Sequence, residues 1–230
     1  LKAVRVFWTQ WGWAVALGTV GLLLVGGAAY LNLMLSRRRE GGSTTGAGEY
    51  RQYAEDHPWL ARLVLPLAVG AVFGAPLASE WRTYVLWLNR TPFGQSDAQF
   101  GKDISFYVFT LPVLHSILGL AVIALAVSVA FACVGHYLYG GVRQEDGSKV
   151  RARVHFGSLA AIGAILVACY FWLSRYDMLL AENKKFSGAS FTDINATLPG
   201  RTILAVTAAL VILLKSLNRE KSPGKVQAAA

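Results

Sequence analysis

Hydrophobic positions in this chain are not spaced as they would be around a globular core. They run together in long blocks, with polar residues gathered in short stretches between them. Spanning about 30 Å of hydrocarbon takes roughly 20 helical residues at 1.5 Å each, and five blocks reach or approach that length. Trp11 to Ser36 and Ile104 to Val142 contain no charged residue, and neither does Val154 to Ser174. Trp59 to Ser79 contains only Arg62, near enough to one end for its side chain to reach the headgroups. The fifth, Thr202 to Leu214, is short and needs Arg201 and Lys215 as anchors to cross. The expected spans lie near 11–36, 59–79, 109–139, 154–174 and 201–217, within one membrane domain over 1–217, and 218–230 is expected to be a cytoplasmic tail.

Between the second and third spans, near 80–90, Trp81, Tyr84, Val85 and Leu88 recur at helical spacing beside Glu80, Arg82, Asn89 and Arg90. This predicts an amphipathic helix in the outer interface. The fold class is therefore all-α, a polytopic transmembrane helix bundle of about five spans plus an interfacial helix. Helix starts are predicted at Asp56–His57–Pro58 for the second span and at Thr110 with Pro112 for the third. Aromatic residues mark the headgroup levels, among them Trp8, Trp11, Trp13, Tyr137, Tyr170, Trp172 and Tyr176. Gly41 to Gly46 reads as a flexible linker.

Composition agrees with the pattern. Hydrophobic residues make up 54% of the 230 residues and charged ones only 15%, where soluble domains have about a quarter charged. The formal net charge of +9 does not describe a nucleic-acid surface, because the basic residues flank apolar blocks instead of lining one face. They set topology instead. Loops after the first, third and fifth spans hold twelve Lys and Arg, including Arg37, Arg38, Arg39, Arg143, Lys149 and Arg151; the alternate set holds nine. By the positive-inside rule the first set is cytoplasmic, the N-terminal end of the chain lies outside and the C-terminal end inside. The chain starts at Leu1 without an initiator Met, which reads as a fragment boundary and not a signal peptide.

Candidate chemistry is sparse. Cys133 and Cys169 both fall within apolar blocks and read as small buried residues. Gly70 and Gly74 form a GxxxG that lets a second helix approach, from within this chain in preference to a dimer partner. His115, His136 and His155 sit at span ends and are the candidates for haem or a chlorophyll-type pigment; His136 and His155 flank the same loop and can face each other. No HxxxH or CxxCH pattern supports a cofactor, so none is expected. The loop from Pro92 to Asp103 repeats Phe-Gly followed by Asp, in Phe93, Gly94 and Asp97 and again in Phe100, Gly101 and Asp103. Glycine permits tight turns and aspartate caps them, so an ordered outer loop is expected in preference to a calcium site. P-loop, GxSxG and HExxH patterns are all missing, and the mid-span regions lack ionisable residues, which weighs against an enzyme and against a self-sufficient ion-coupled carrier.

Three blocks carry a resemblance. Asn89 to Phe109 (NRTPFGQSDAQFGKDISFYVF), Phe171 to Asp177 (FWLSRYD, with Arg175 and Asp177) and Gly188 to Pro199 (GASFTDINATLP, with Asp193) resemble, in order, the hallmark of uncharacterised protein family 0182, large polytopic bacterial membrane proteins. Ala98 stands where the family generally has Pro, and Phe191 where Tyr is usual. The resemblance implies a membrane domain of about seven helices followed by a large extracytoplasmic region, so an earlier helix and everything past the fifth span would lie outside this chain. It transfers no catalytic or ligand residue. The function expected is that of a structural or accessory subunit in a bacterial plasma-membrane or envelope complex, with lipids and other membrane subunits as partners and no nucleic acid. The alternatives are part of a transporter or channel, and a haem- or pigment-binding subunit.

Overall fold

The computed structural model describes residues 2–36, 52, 56–138, 146–181 and 188–220, with side chains except at 2–5, 61, 138, 146–151 and 212–220. The expected Gly41–Gly46 linker, the basic residues Arg37 to Arg39, Arg51, Arg143, Lys184 and Lys185, and the tail from 221 lie outside the described residues.

The described residues contain helices and no strand, only an isolated bridge between Ser96 and Asp103. Helix α1 runs over Lys2–Ser36. A π turn at Leu60–Val64 leads into α2, Leu65–Phe73, and a 3-10 turn at Ala75–Glu80 leads into α3, Trp81–Leu88. A second π turn, Phe106–Thr110, opens α4, Leu111–Leu138. Helix α5 covers Asp146–Asp177, and a third π turn, Asp193–Thr197, opens α6, Leu198–Glu220. Five helical stretches are long and apolar enough to cross a bilayer: Val6–Ser36, Arg62–Leu88, Phe106–Tyr137, Ala152–Leu180 and Asp193–Val211. The chain is an all-α, polytopic membrane protein. Large apolar side chains stand bare along these helices, Val72 and Ile203 each 65% exposed. Apolar surface of that extent needs lipid as its solvent.

Two helix starts differ from the sequence expectation for a physical reason. The third span begins at Ile104, not at Thr110: Asp103 Oδ1 accepts the Ser105 N–H at 2.8 Å and its carbonyl accepts the Phe106 N–H at 2.9 Å, so Asp103 is the cap. The fifth helix begins at Phe191, ten residues before Arg201, because Ser190 and Asp193 cap it reciprocally. Asp193 N–H donates to Ser190 Oγ at 3.1 Å, and Ser190 N–H donates to Asp193 Oδ2 at 2.9 Å. Pro199 and Gly200, residue types that disfavour a helix interior, are carried inside the helix.

Each π turn ends two residues before a proline: Pro66, Pro112 and Pro199. A proline ring collides with the carbonyl four residues back and brings no N–H to pair with it. Those carbonyls belong to Arg62, Val108 and Asn195, each within a π turn. The wider turn closes with a bond spanning five residues, from the N–H of Leu65 to Leu60, of Leu111 to Phe106 and of Leu198 to Asp193. The helix thereby passes through proline without ending.

The chain divides into two compact units: Leu1–Trp81 with Leu120–Ile162 and Ser222–Ala230, and Arg82–Gly119 with Gly163–Lys221. The first has a small core of Val25, Ala29 and Val127, flanked by Val69, Leu120, Ala124 and Phe131. In it α1 packs along α2 on a seam of glycines. A Cβ on Gly26 would stand 2.8 Å from the Pro66 carbonyl oxygen, and one on Gly70 would stand 2.5 Å from that of Leu22 and 3.1 Å from Gly26 Cα. Gly74 and Gly21 likewise leave no room for a Cβ on either. The Gly70–Gly74 face is thus occupied by α1. Among the described residues the second unit centres on buried Tyr107, Leu111, Val113 and Met178.

Valine at Gly26 or Gly70 is expected to destabilise the chain by about 1–3 kcal/mol through overpacking, read as a lower Tm in mild detergent. Alanine at Gly12 or Gly119, where nothing lies within 4 Å of the added methyl, should leave Tm unchanged or slightly raised.

Candidate functional site

The second unit holds the ordered loop. Asp97 collects four donors: the N–H groups of Gln99 at 2.9 Å and Phe100 at 2.6 Å on Oδ1, and the Lys102 N–H and the Tyr107 hydroxyl, both at 2.8 Å, on Oδ2. Asp103 accepts the N–H groups of Phe93 at 3.1 Å and Ser105 at 2.8 Å on Oδ1, and that of Gly94 at 2.9 Å on Oδ2. Two backbone bonds close the turn between them, Asp97 N–H to Lys102 and Ile104 N–H to Gln95, each 2.9 Å. Gly94 and Gly101 have φ of +73° and +63°, the left-handed region that other residues resist. The repeated Phe-Gly-then-Asp pattern is therefore a pair of Asp-anchored turns. Desolvation pushes the Asp97 carboxyl up, but its four hydrogen bonds outweigh that and hold it below the ordinary carboxylate value. Hydrogen bonds from Ser105, Phe93 and Gly94 hold Asp103 at about 2.

Aromatic rings join this loop to the end of α5. Tyr176 packs against Phe100 at 4.8 Å and Phe106 at 5.1 Å between centroids. Arg175 lies over the Trp172 ring at 4.2 Å and the Phe100 ring at 5.6 Å. Its Nε and Nη1 are buried without a hydrogen-bond partner among the described residues, so ring faces take the place of acceptors. Asp177 Oδ1 pairs with His115 Nε2 at 2.8 Å across α5 and α4, and that pair is partly exposed. Arg201 donates through Nη1 to the Ser174 carbonyl, tying α6 to α5. The side chains that sequence blocks alone keep apart, Phe93 to Asp103, Arg175 to Asp177 and Asp193 to Arg201, thus belong to one unit.

The first unit brings His136 and His155 together. His136 Nε2 lies 3.0 Å from His155 Nδ1, and His155 Nε2 lies 2.9 Å from Asn32 Oδ1 on α1. Asn32 donates through Nδ2 to the Ala28 carbonyl at 2.7 Å, which fixes Oδ1 as the acceptor for His155. Phe156 stacks on His155, and His136 is 3% exposed. His115 is not part of this cluster; it sits in the other unit with Asp177. Both ring nitrogens of His155 are engaged, Nδ1 by His136 and Nε2 by Asn32, so an axial-ligand role for His155 would first break one of these bonds. Sequence reasoning lets the two histidines face each other, and an amide among the apolar residues of α1 marks Asn32 for a hydrogen bond between helices, but nothing in the sequence names His155 as its partner.

Residues 1–229 match the family described as Uncharacterised protein family (UPF0182). The chain belongs to that family. It is 38% identical to a UPF0182 protein of Kocuria rhizophila over 93% of this chain and 22% of that one. It is 41% identical to a UPF0182 protein of Corynebacterium efficiens over 71% of this chain and 17% of that one, and 34% identical to one of Clavibacter sepedonicus over 97% and 24%. The chain thus spans about a sixth to a quarter of these relatives' length. No solved structure matches it. The blocks that resembled UPF0182 in sequence supply the anchoring aspartates, the Arg175–Tyr176–Asp177 end of α5 and the Ser190–Asp193 cap.

A carboxyl held below its unfolded value stabilises the folded loop above about pH 4, and for Asp103 that contribution is lost as pH falls through about 2. Acid-protease cleavage within 89–105 is expected to stay slow down to about pH 4 and to accelerate below it. Asp97→Ala and Asp103→Ala should each be cleaved several-fold faster already at neutral pH.

Proposed function

We propose that this chain is a structural or accessory module of a bacterial envelope complex, seated in the plasma membrane with its N-terminal end outside and its C-terminal end in the cytoplasm. The loop over 89–105 is its docking face. One observation carries this reading: seven hydrogen bonds to Asp97 and Asp103 fix the loop's conformation from within the loop and the first turns of the helix that follows. A surface ordered in advance loses little entropy when a partner binds. The positive-inside count supports an extracytoplasmic position for it. The relatives, four to five times longer than the matched region, supply ample chain for an assembly outside the membrane.

The test is purification in mild detergent, with mass-spectrometric identification of the chains that co-purify. Defined partners are expected with the wild type and their loss with Asp97→Ala, while the Tm of the spans stays the same. A wild type that runs alone, at the mass of one chain, rules the reading out. Orientation is read separately after replacing Cys133 and Cys169: a cysteine at Gln95 should react with a membrane-impermeant maleimide on intact cells and one at Ser43 should not.

A further inference from the structure

We propose that the Arg175 guanidinium binds the phosphate of a membrane phospholipid at the end of α5. Arg175 stands near the end of the apolar stretch Ala152–Leu180, beside Trp172 and Tyr176, at the level where interfacial aromatic residues meet headgroups. Its guanidinium lies over the Trp172 ring at 4.2 Å and the Phe100 ring at 5.6 Å. Ring faces attract the charge, but they take N–H bonds only weakly. Nε and Nη1 are buried and meet no acceptor among the described residues. An unmet donor on a charged group is costlier than one on a neutral group. Nη2 is not enclosed with them, and it shares an edge of the planar fork with each. A phosphate oxygen received at Nη2 therefore offsets a charge that is delocalised over all three nitrogens, in the geometry that guanidinium and phosphate share.

The described carboxylates of this unit are committed elsewhere. Asp97 collects donors from Gln99, Phe100, Lys102 and Tyr107, and Asp103 from Phe93, Gly94 and Ser105. Asp177 Oδ1 pairs with His115, and Asp193 Oδ2 accepts the N–H and the hydroxyl of Ser190. Glu182 and Glu220, the unit's other two, lie outside the described side chains. The C-terminal end of α5 favours a cation through its partial negative charge, yet gives no bond to Nε or Nη1. Arg201 donates to the Ser174 carbonyl, so a second guanidinium stands beside the same turn. What lies below Arg175 favours a phospholipid over a free anion. On its face of α5, Trp172 and Ile165 follow at helical spacing as exposed apolar side chains. An acyl chain lies along them while the phosphate reaches the guanidinium; inorganic phosphate gains nothing from them. The assignment rests neither on the docking of the 89–105 loop nor on which side of the membrane α5 ends.

The test follows Tm of the full chain in mild detergent as a short-chain phosphatidylglycerol is added, with the matching diacylglycerol and inorganic phosphate as separate arms. A ligand that binds only the folded protein raises Tm with its concentration. Phosphatidylglycerol is expected to do so; diacylglycerol and inorganic phosphate at the same concentration are not. Arg175→Gln should weaken the phospholipid's apparent affinity about tenfold or more. Arg90→Gln, which removes an exposed cation of the same unit, should leave it unchanged. Equal phospholipid shifts in the wild type and in folded Arg175→Gln overturn the proposal, as does an equal loss in Arg90→Gln. An inorganic-phosphate shift as large as the phospholipid's makes the ligand a free anion, and an equal diacylglycerol shift makes it an acyl chain alone; either overturns the assignment. A gain in phospholipid affinity in Glu182→Gln makes that carboxylate the resident partner of Arg175, with the same consequence. If Arg175→Gln does not fold, solid-state NMR of the wild type in phosphatidylglycerol nanodiscs decides. Lipid phosphorus must dephase the arginine side-chain nitrogen signals that Arg175→Lys lacks, and undiminished signals overturn the proposal.

Discussion

The structure depends on one constraint: inside hydrocarbon no water pairs with a polar group, so every backbone N–H and carbonyl must find its partner within the chain, at a cost of several kcal/mol when it does not. The π turns before Pro66, Pro112 and Pro199 answer it. In water a helix simply stops before a proline and lets solvent take the loose carbonyl. Here stopping would expose several groups to lipid, and widening one turn is the smaller disturbance. The same pressure turns small polar side chains back onto their own helix: Ser36 donates to the Asn32 carbonyl at 2.7 Å and Thr202 to that of Leu198 at 2.8 Å.

Close helix approach is the second consequence. Lipid tails are as apolar as leucine, so burying apolar area between spans gains little, and packing depends on how near the backbones come. Gly21, Gly26, Gly70 and Gly74 bring α1 and α2 to a separation that a Cβ would forbid. Polar contacts can then be specific because the helices around them are fixed. Asn32 lies on α1, whose glycine seam sets its position, and it meets a histidine 123 residues further along the chain.

Much of this was legible in the sequence because charge is costly at bilayer depth. Uncharged blocks located the spans, and the glycine-aspartate repeat announced an ordered loop. The start of the fifth helix was misread because Pro199 and Gly200 are breakers in water, while the Ser190–Asp193 pair that opens it reads as loop composition. The third span was given its cap at Thr110 on the strength of the nearby proline, when Asp103 already held the first free N–H groups. The amphipathic stretch Trp81–Leu88 was legible as a helix, but its continuity with the second span through the 3-10 turn was not, since the charges at Glu80 and Arg82 read as the passage from span to interface. Side-chain partners were the least legible. His115 with Asp177 joins positions 62 apart on two helices, and periodicity along either helix does not say which face meets which.

The polar groups of this chain fall into two kinds by where they titrate. Asp103 is held at about 2 by hydrogen bonds, and Asp97 is also held below its ordinary value. Neither changes charge at any pH a cell meets, so the loop they build is a fixed surface. Histidine is the side chain whose ordinary pKa of about 6.5 lies within the physiological range. In the second unit His115 faces a carboxylate, with Nε2 2.8 Å from Asp177 Oδ1. In the first unit His155 faces an amide and another imidazole. The same residue type thus meets an anion in one unit and an amide in the other, and the difference comes from Asp177 standing in one place and Asn32 in the other.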